Sequence, residues 1–92
     1  MATALRLRIA GRVQGVGYRA WLEREARSRG LRGWVRNRRD GSVETLLIGD
    51  DHAIEAMIPA CQRGPRLAGV TDIERSPDTD DGRMGFDVLP TI

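Results

Sequence analysis

The chain is 92 residues long with a formal net charge of +2, and its 15 basic residues are all arginine; this length predicts one domain over 1–92 with one modest core, because so short a chain hides only about 60% of its unfolded surface. A single cysteine, Cys61, excludes an internal disulfide framework and fits a reducing cytoplasm; with His52 as the single histidine it also falls short of a zinc site of nitrogen and sulfur ligands, and the lack of lysine excludes Schiff-base and P-loop lysine chemistry. No apolar run approaches the roughly 20 residues that span a bilayer, and Met1 to Gly11 has neither an apolar h-region nor a cleavage site, so neither a membrane nor export is expected.

In chain order, Leu5, Leu7 and Ile9 alternate with Arg6, Arg8 and Ala10, which predicts a first strand. Gly11 to Gly17 holds three glycines and reads as a loop. Tyr18 to Arg29 places Tyr18, Trp21, Leu22, Glu25 and Ala26 at helical spacing, with Gly30 as a C-terminal cap. Leu31 to Arg36 predicts a second strand, Asn37 to Gly41 a hairpin turn and Ser42 to Ile48 a third strand. Asp50 or Asp51 can cap a second helix whose apolar stripe is Ile54, Met57, Ile58 and Cys61; Pro59 lies inside it and is expected to kink or shorten it, and Gly64-Pro65 ends it. The odd spacing of Val70 and Ile73 predicts a fourth strand with a bulge or bend. Ser76 to Gly85 reads as an exposed acidic loop, and Phe86 and Val88 as a last short strand.

This order predicts an α+β, ferredoxin-like βαββαβ sandwich, an antiparallel sheet with two helices on one face. The fold alone does not define a function. Topology nevertheless locates a candidate site. A right-handed crossover from strand 1 through helix 1 to strand 2 leaves the carboxyl ends of those strands at one edge of the sheet. The glycine loop and Asn37 then meet there. Gly15 and Gly17 allow a concave nest of N–H donors opening a helix, which favours anions. Arg19, in the first turn, opposes the helix dipole by about 0.3–1 kcal/mol, a cost that an anion bound there would offset. By charge and position alone Arg19 reads equally as an anion ligand or as a solvated side chain. Asn37, the single asparagine, reads more readily as a turn residue than as a water-holding amide.

Charge is unevenly spread. Residues 1–46 carry 11 arginines against four acids, a balance of +7; residues 47–92 carry four against nine, a balance of −5. A basic first half fits an anionic ligand, although most of these arginines read as a solvated face. Arg12, Arg36, Arg38 and Arg39 could steer anions by long-range field, with solubility the plainer role for each. Gln14 reads as a loop-shaping residue, Asp40 and Ser42 as fixing the hairpin, Tyr18 and Trp21 as core, Trp34 as core or rim, and Cys61 as a small apolar core residue.

Two segments resemble the acylphosphatase family. Gly11-Arg12-Val13-Gln14-Gly15-Val16-Gly17-Tyr18-Arg19 matches the family's Gly-x-Val-Gln-Gly-Val-x-Phe/Tyr-Arg signature, and Gly33 to Glu44 matches its Gly-x-Val-x-Asn-x-x-Asp-Gly-Ser-Val-Glu block. The resemblance extends over nearly the whole chain. Pro59, the lysine-free surface and the acidic stretch Asp78 to Gly82 depart from the family without touching either motif. The resemblance implies a cofactor-free, metal-independent hydrolase acting on small acyl phosphates to give a carboxylate and inorganic phosphate. It also implies that Arg19 binds the phosphoryl group with the amides of Gly15, Val16, Gly17 and Tyr18, and that Asn37 orients the attacking water.

Two other readings share the fold. One is an accessory module that holds phosphate or another anion with weak turnover. The other is an RNA-binding domain, which would need aromatic residues on the central strands to stack bases; Leu5, Leu7 and Ile9 on strand 1 and a strand 3 without aromatics argue against it. The expectation is a cytoplasmic monomer with no nucleic-acid or membrane partner.

Overall fold

The computed structural model describes residues 3–92, so Met1 and Ala2, the ends of the expected leaderless start and of the expected 1–92 domain, lie outside the described residues. The elements are β1 (Thr3–Arg12), α1 (Tyr18–Ser28), β2 (Arg32–Asn37), β3 (Val43–Gly49), α2 (Asp51–Arg63), β4 (Gly69–Pro77) and β5 (Phe86–Val88). The strands form one sheet in the order β4-β1-β3-β2-β5. β3 runs antiparallel to both β1 and β2, so β1 and β2 are parallel to one another, as the crossover requires.

The sheet is mixed rather than purely antiparallel, because β5 pairs with β2 in parallel, Gly33 opposite Phe86. β5 is a three-residue edge strand reached through the acidic loop rather than a hairpin, and a long return can enter a sheet in either direction. β1 continues through Arg12 and β4 through Pro77, where loops were expected, since the pairing of Arg12 with Gly69 and of Leu5 with Pro77 holds both ends. The bulge expected in β4 is present. Ala10 faces Asp72 but Gly11 faces Val70, which leaves Thr71 as the extra residue.

Two-residue alternation divides the sheet into two faces. Leu5, Leu7, Ile9, Val35, Val43 and Leu47 face the helices and form the main core with Tyr18, Leu22 and Ala26 of α1 and Ile54, Met57 and Cys61 of α2. Trp21 is half-buried, its ring 5.2 Å from that of Tyr18. On the opposite face Ala4, Trp34, Leu46 and Ile48 form a smaller cluster covered in part by Leu89. Arg36 lies over the Trp34 ring, 4.5 Å from its centroid, and the other aromatic on a described strand, Phe86, is buried in the main core, so neither offers a free stacking platform. Gly33 is required where β2 crosses β3: at φ 138°, an added Cβ would stand 1.8 Å from the Leu46 carbonyl oxygen.

Tyr18 and Cys61 pin the two helices together. The Tyr18 hydroxyl donates to the Cys61 carbonyl at 2.6 Å. Burial raises the Tyr18 pKa and pushes the Cys61 thiol up to about 12, so both stay neutral, as suits core residues.

Candidate active site

The loop Val13 to Gly17 leaves β1 at the same edge of the sheet where Asn37 ends β2. Gly15 and Gly17 sit at φ 74° and 79°, and no neighbouring atom lies within 4 Å of where a Cβ would be; conformation rather than space calls for glycine at both. The loop amides of Gly15, Val16, Gly17 and Tyr18 donate to no protein acceptor among the described residues.

The two helix N-termini contrast sharply. In α2 the Asp50 carboxylate caps the His52 amide at 3.0 Å, and Asp51 adds an acid in the first turn. The N-cap of α1 is Gly17, with no side-chain cap and no acid in the first turn; instead Arg19 stands there. Local satisfaction of the orphan N–H groups is thus normal in α2 and missing in α1.

Gln14 joins the loop to the hairpin. Its Nε2 donates to the Arg38 carbonyl at 2.7 Å and to the Ser42 carbonyl at 2.9 Å. The hairpin has its own brace: Asp40 Oδ1 accepts from the Ser42 hydroxyl at 2.6 Å and from its amide at 2.9 Å. These two bonds, with the nearby Arg8 guanidinium, lower the Asp40 pKa to about 2. The sequence puts Gln14 in the loop but does not show it reaching across, because a bond to two carbonyls 24 and 28 residues away exists only once β3 has paired with both β1 and β2.

The result is a cleft of about 320 Å³ lined by Gln14, Gly15, Gly17, Tyr18, Arg19 and Asn37. Of the residues singled out from the sequence, these come together; Val16 is half-buried against the main core beside them. The cleft also takes in Val13 of the first motif, and Ala20, Glu23 and Val88, which lie outside both motifs. Glu23 could have been found from its i+4 spacing to Arg19; Val88 could not, because it depends on β5 pairing beside β2. Alternation turns Asn37 toward the helix layer, like Val35. Its Oδ1 is buried and has no protein partner, and a buried acceptor left unpaired costs about 1–3 kcal/mol. No ion pair among the described residues engages Arg19. A cationic fork, a row of free amides and an unpaired buried acceptor share one small cleft, an arrangement that can bind a tetrahedral anion and hold a water against it.

Arg36 and Arg38, taken from sequence as steering or solubilising, are instead hydrogen-bonded to Glu44 on the open face, which makes them part of the sheet's own charge balance.

The family model described as acylphosphatase matches residues 5–88. A curated acylphosphatase of Azorhizobium caulinodans is 50% identical over 93 aligned residues, covering 100% of both chains. The crystal structure of acylphosphatase from Bacillus subtilis superposes with a TM-score of 0.92 at 38% identity, covering 97% of this chain and 99% of that one. Full-length HypF, in its phosphate- and nucleotide-bound form, matches with a TM-score of 0.91 at 25% identity over 99% of this chain and 12% of its own.

Proposed function

The chain belongs to the acylphosphatase family, and from that premise we propose that Arg19, the amides of Gly15 through Tyr18 and Asn37 form its catalytic site. The enzyme hydrolyses acyl phosphates. The anion-binding module without useful turnover is not favoured, because the full-length matches are to acylphosphatases.

In this reading the phosphoryl group sits on the loop amides, with two of its oxygens on the Arg19 guanidinium. Asn37 Oδ1 accepts a hydrogen bond from the water that attacks phosphorus. The new bond joins the water oxygen to phosphorus, and the bond to the acyl oxygen breaks. The electron pair leaves with the carboxylate, and the water proton passes to the products or to solvent. A carboxylate is a good leaving group, so the transition state is loose and its charge lies on the phosphoryl oxygens. Such a transition state needs preorganised positive charge and a placed water more than a strong base or nucleophile. The guanidinium and the amides supply the charge, so the mechanism runs without a metal or cofactor.

The observation that carries this reading is the buried, unpaired Asn37 Oδ1 in the cleft that Arg19 lines. The test is benzoyl phosphate hydrolysis in EDTA. Arg19→Ala should lose both turnover and binding of inorganic phosphate. Asn37→Ala should lose about 10²–10³ in kcat while phosphate still binds. Inhibition of the wild type by EDTA would overturn the metal-independent mechanism, and loss of phosphate binding in a folded Asn37→Ala variant would overturn the role of Asn37.

The same reading makes the protein a single domain acting as a cytoplasmic monomer without nucleic acid. A free, buried Cys61 fits a reducing compartment. An open sheet face whose charges pair among themselves fits water better than a polyanion. No helix among the described residues is long and apolar enough to cross a membrane.

A further inference from the structure

Arg19, Glu23 and Arg27 follow one another at four-residue intervals, so they lie along one stripe of α1. Glu23 could pair with either arginine. It pairs with Arg27, Oε2 to Nη2 at 3.1 Å, and no ion pair joins it to Arg19. Yet Glu23 lines the same cleft as Arg19. Two physical reasons set the choice. An acid placed four residues before a base is the favoured orientation on a helix, and the reverse order, Arg19 before Glu23, is the weaker one. Arg27 is also anchored independently: the same Nη2 donates to the Phe86 carbonyl at 2.9 Å. That bond ties the end of α1 to β5 and holds the guanidinium where Glu23 reaches it.

We propose that Arg27 is a positioning residue that holds the Glu23 carboxylate away from Arg19, keeping the Arg19 guanidinium free for the phosphoryl group. The proposal rests on the reading of Arg19 as the phosphoryl ligand. In the absence of Arg27, Glu23 is the nearest carboxylate on the stripe and turns to Arg19. An incoming phosphoryl group must then displace it. Binding weakens, while the chemical step, which begins after displacement, keeps its rate.

The test is a double-mutant cycle with Arg27→Gln, which removes the charge and keeps a donor for the Phe86 carbonyl. At low ionic strength Arg27→Gln should raise KM for benzoyl phosphate and Kd for inorganic phosphate about two- to threefold, with kcat unchanged. In a Glu23→Gln background the same substitution should change neither. Arg27→Lys should retain wild-type affinity. An Arg27→Gln effect of equal size in both backgrounds would mean that Arg27 acts only through its long-range field, and would overturn the proposal. So would the absence of any effect. Arg19→Ala in the same assay separates the two levels: if it binds phosphate like the wild type, the site assignment itself fails, whereas loss of binding there without coupling between Arg27 and Glu23 sinks the positioning role alone.

Discussion

Three arginines converge on Glu44, whose side chain is 8% exposed: Arg36 Nε at 2.7 Å, Arg38 Nη1 at 3.2 Å and Arg6 Nη1 at 3.6 Å. Burial alone would raise its pKa, but the hydrogen bonds and charges of Arg36 and Arg38 outweigh it and hold the carboxyl below its ordinary value. A depressed folded-state pKa means that the carboxylate stabilises the fold above its unfolded pKa of about 4.3, and that this contribution is lost as pH falls through the lower folded value. Glu44→Gln should therefore cost about 1–3 kcal/mol at pH 7. Its gap to the wild type should narrow steadily as urea titrations move below about pH 5; a gap independent of pH would show that the loss is one of packing. In the sequence, Glu44 was legible as the end of a motif and Arg36 and Arg38 as free surface charges. Spacing reveals which face of a strand a residue takes, and it does not reveal that neighbouring strands set three cations around one acid. Arg19 and Asn37 were easier to find, because each stands at the end of a regular element whose position the topology fixes. The Gln14 bridge, the Glu23–Arg27 pair and Val88 needed the tertiary structure.

Among the elements, α2 departs most from expectation. It runs without interruption from Asp51 to Arg63 through Pro59. Pro59 can donate no bond to the Glu55 carbonyl, and its ring crowds that group. The residue is exposed, whereas Ile54, Met57, Ala60 and Cys61 are buried. The defect is thus on the solvent side, where the Glu55 carbonyl can turn to water, and packing of the buried stripe holds the helix through it. Replacing Pro59 with Ala restores a backbone bond and relieves the crowding, partly offset by a more flexible unfolded chain. Pro59→Ala should raise unfolding stability by about 1–2 kcal/mol without altering hydrolysis, measured by urea denaturation beside a benzoyl phosphate assay. Lower stability would mean that the surrounding structure is adapted to the proline. Helix and strand positions were largely readable from periodicity, and the β4 bulge from the spacing of Val70 and Ile73. The direction of β5 was not, because a three-residue edge strand has too little pattern to fix its pairing partner, and the connection of 78–85 constrains it weakly.

On the scale of the whole molecule, the sequence order already implied the βαββαβ layers and the meeting of two distant segments at one sheet edge. What it could not supply was the binding of those segments to each other. Gln14 ties the loop to the hairpin, Ile92 adds backbone bonds to Asn37 and Arg39, and β5 brings Val88 to the cleft. The pairing pattern has a consequence in time. β1, at the start of the chain, pairs along its length with β4, Leu5 opposite Pro77, and β2 waits for β5, Gly33 opposite Phe86. Sheets closed by such remote contacts fold slowly, on a scale of milliseconds to seconds. During refolding, the fluorescence of Trp21 and Trp34 and the return of hydrolysis should share one rate constant; a lag in activity would mean that the cleft is completed in a separate step. A chain emerging from the ribosome carries both family motifs within its first half, yet the sheet that frames their cleft closes only after β4 and β5 have been synthesised.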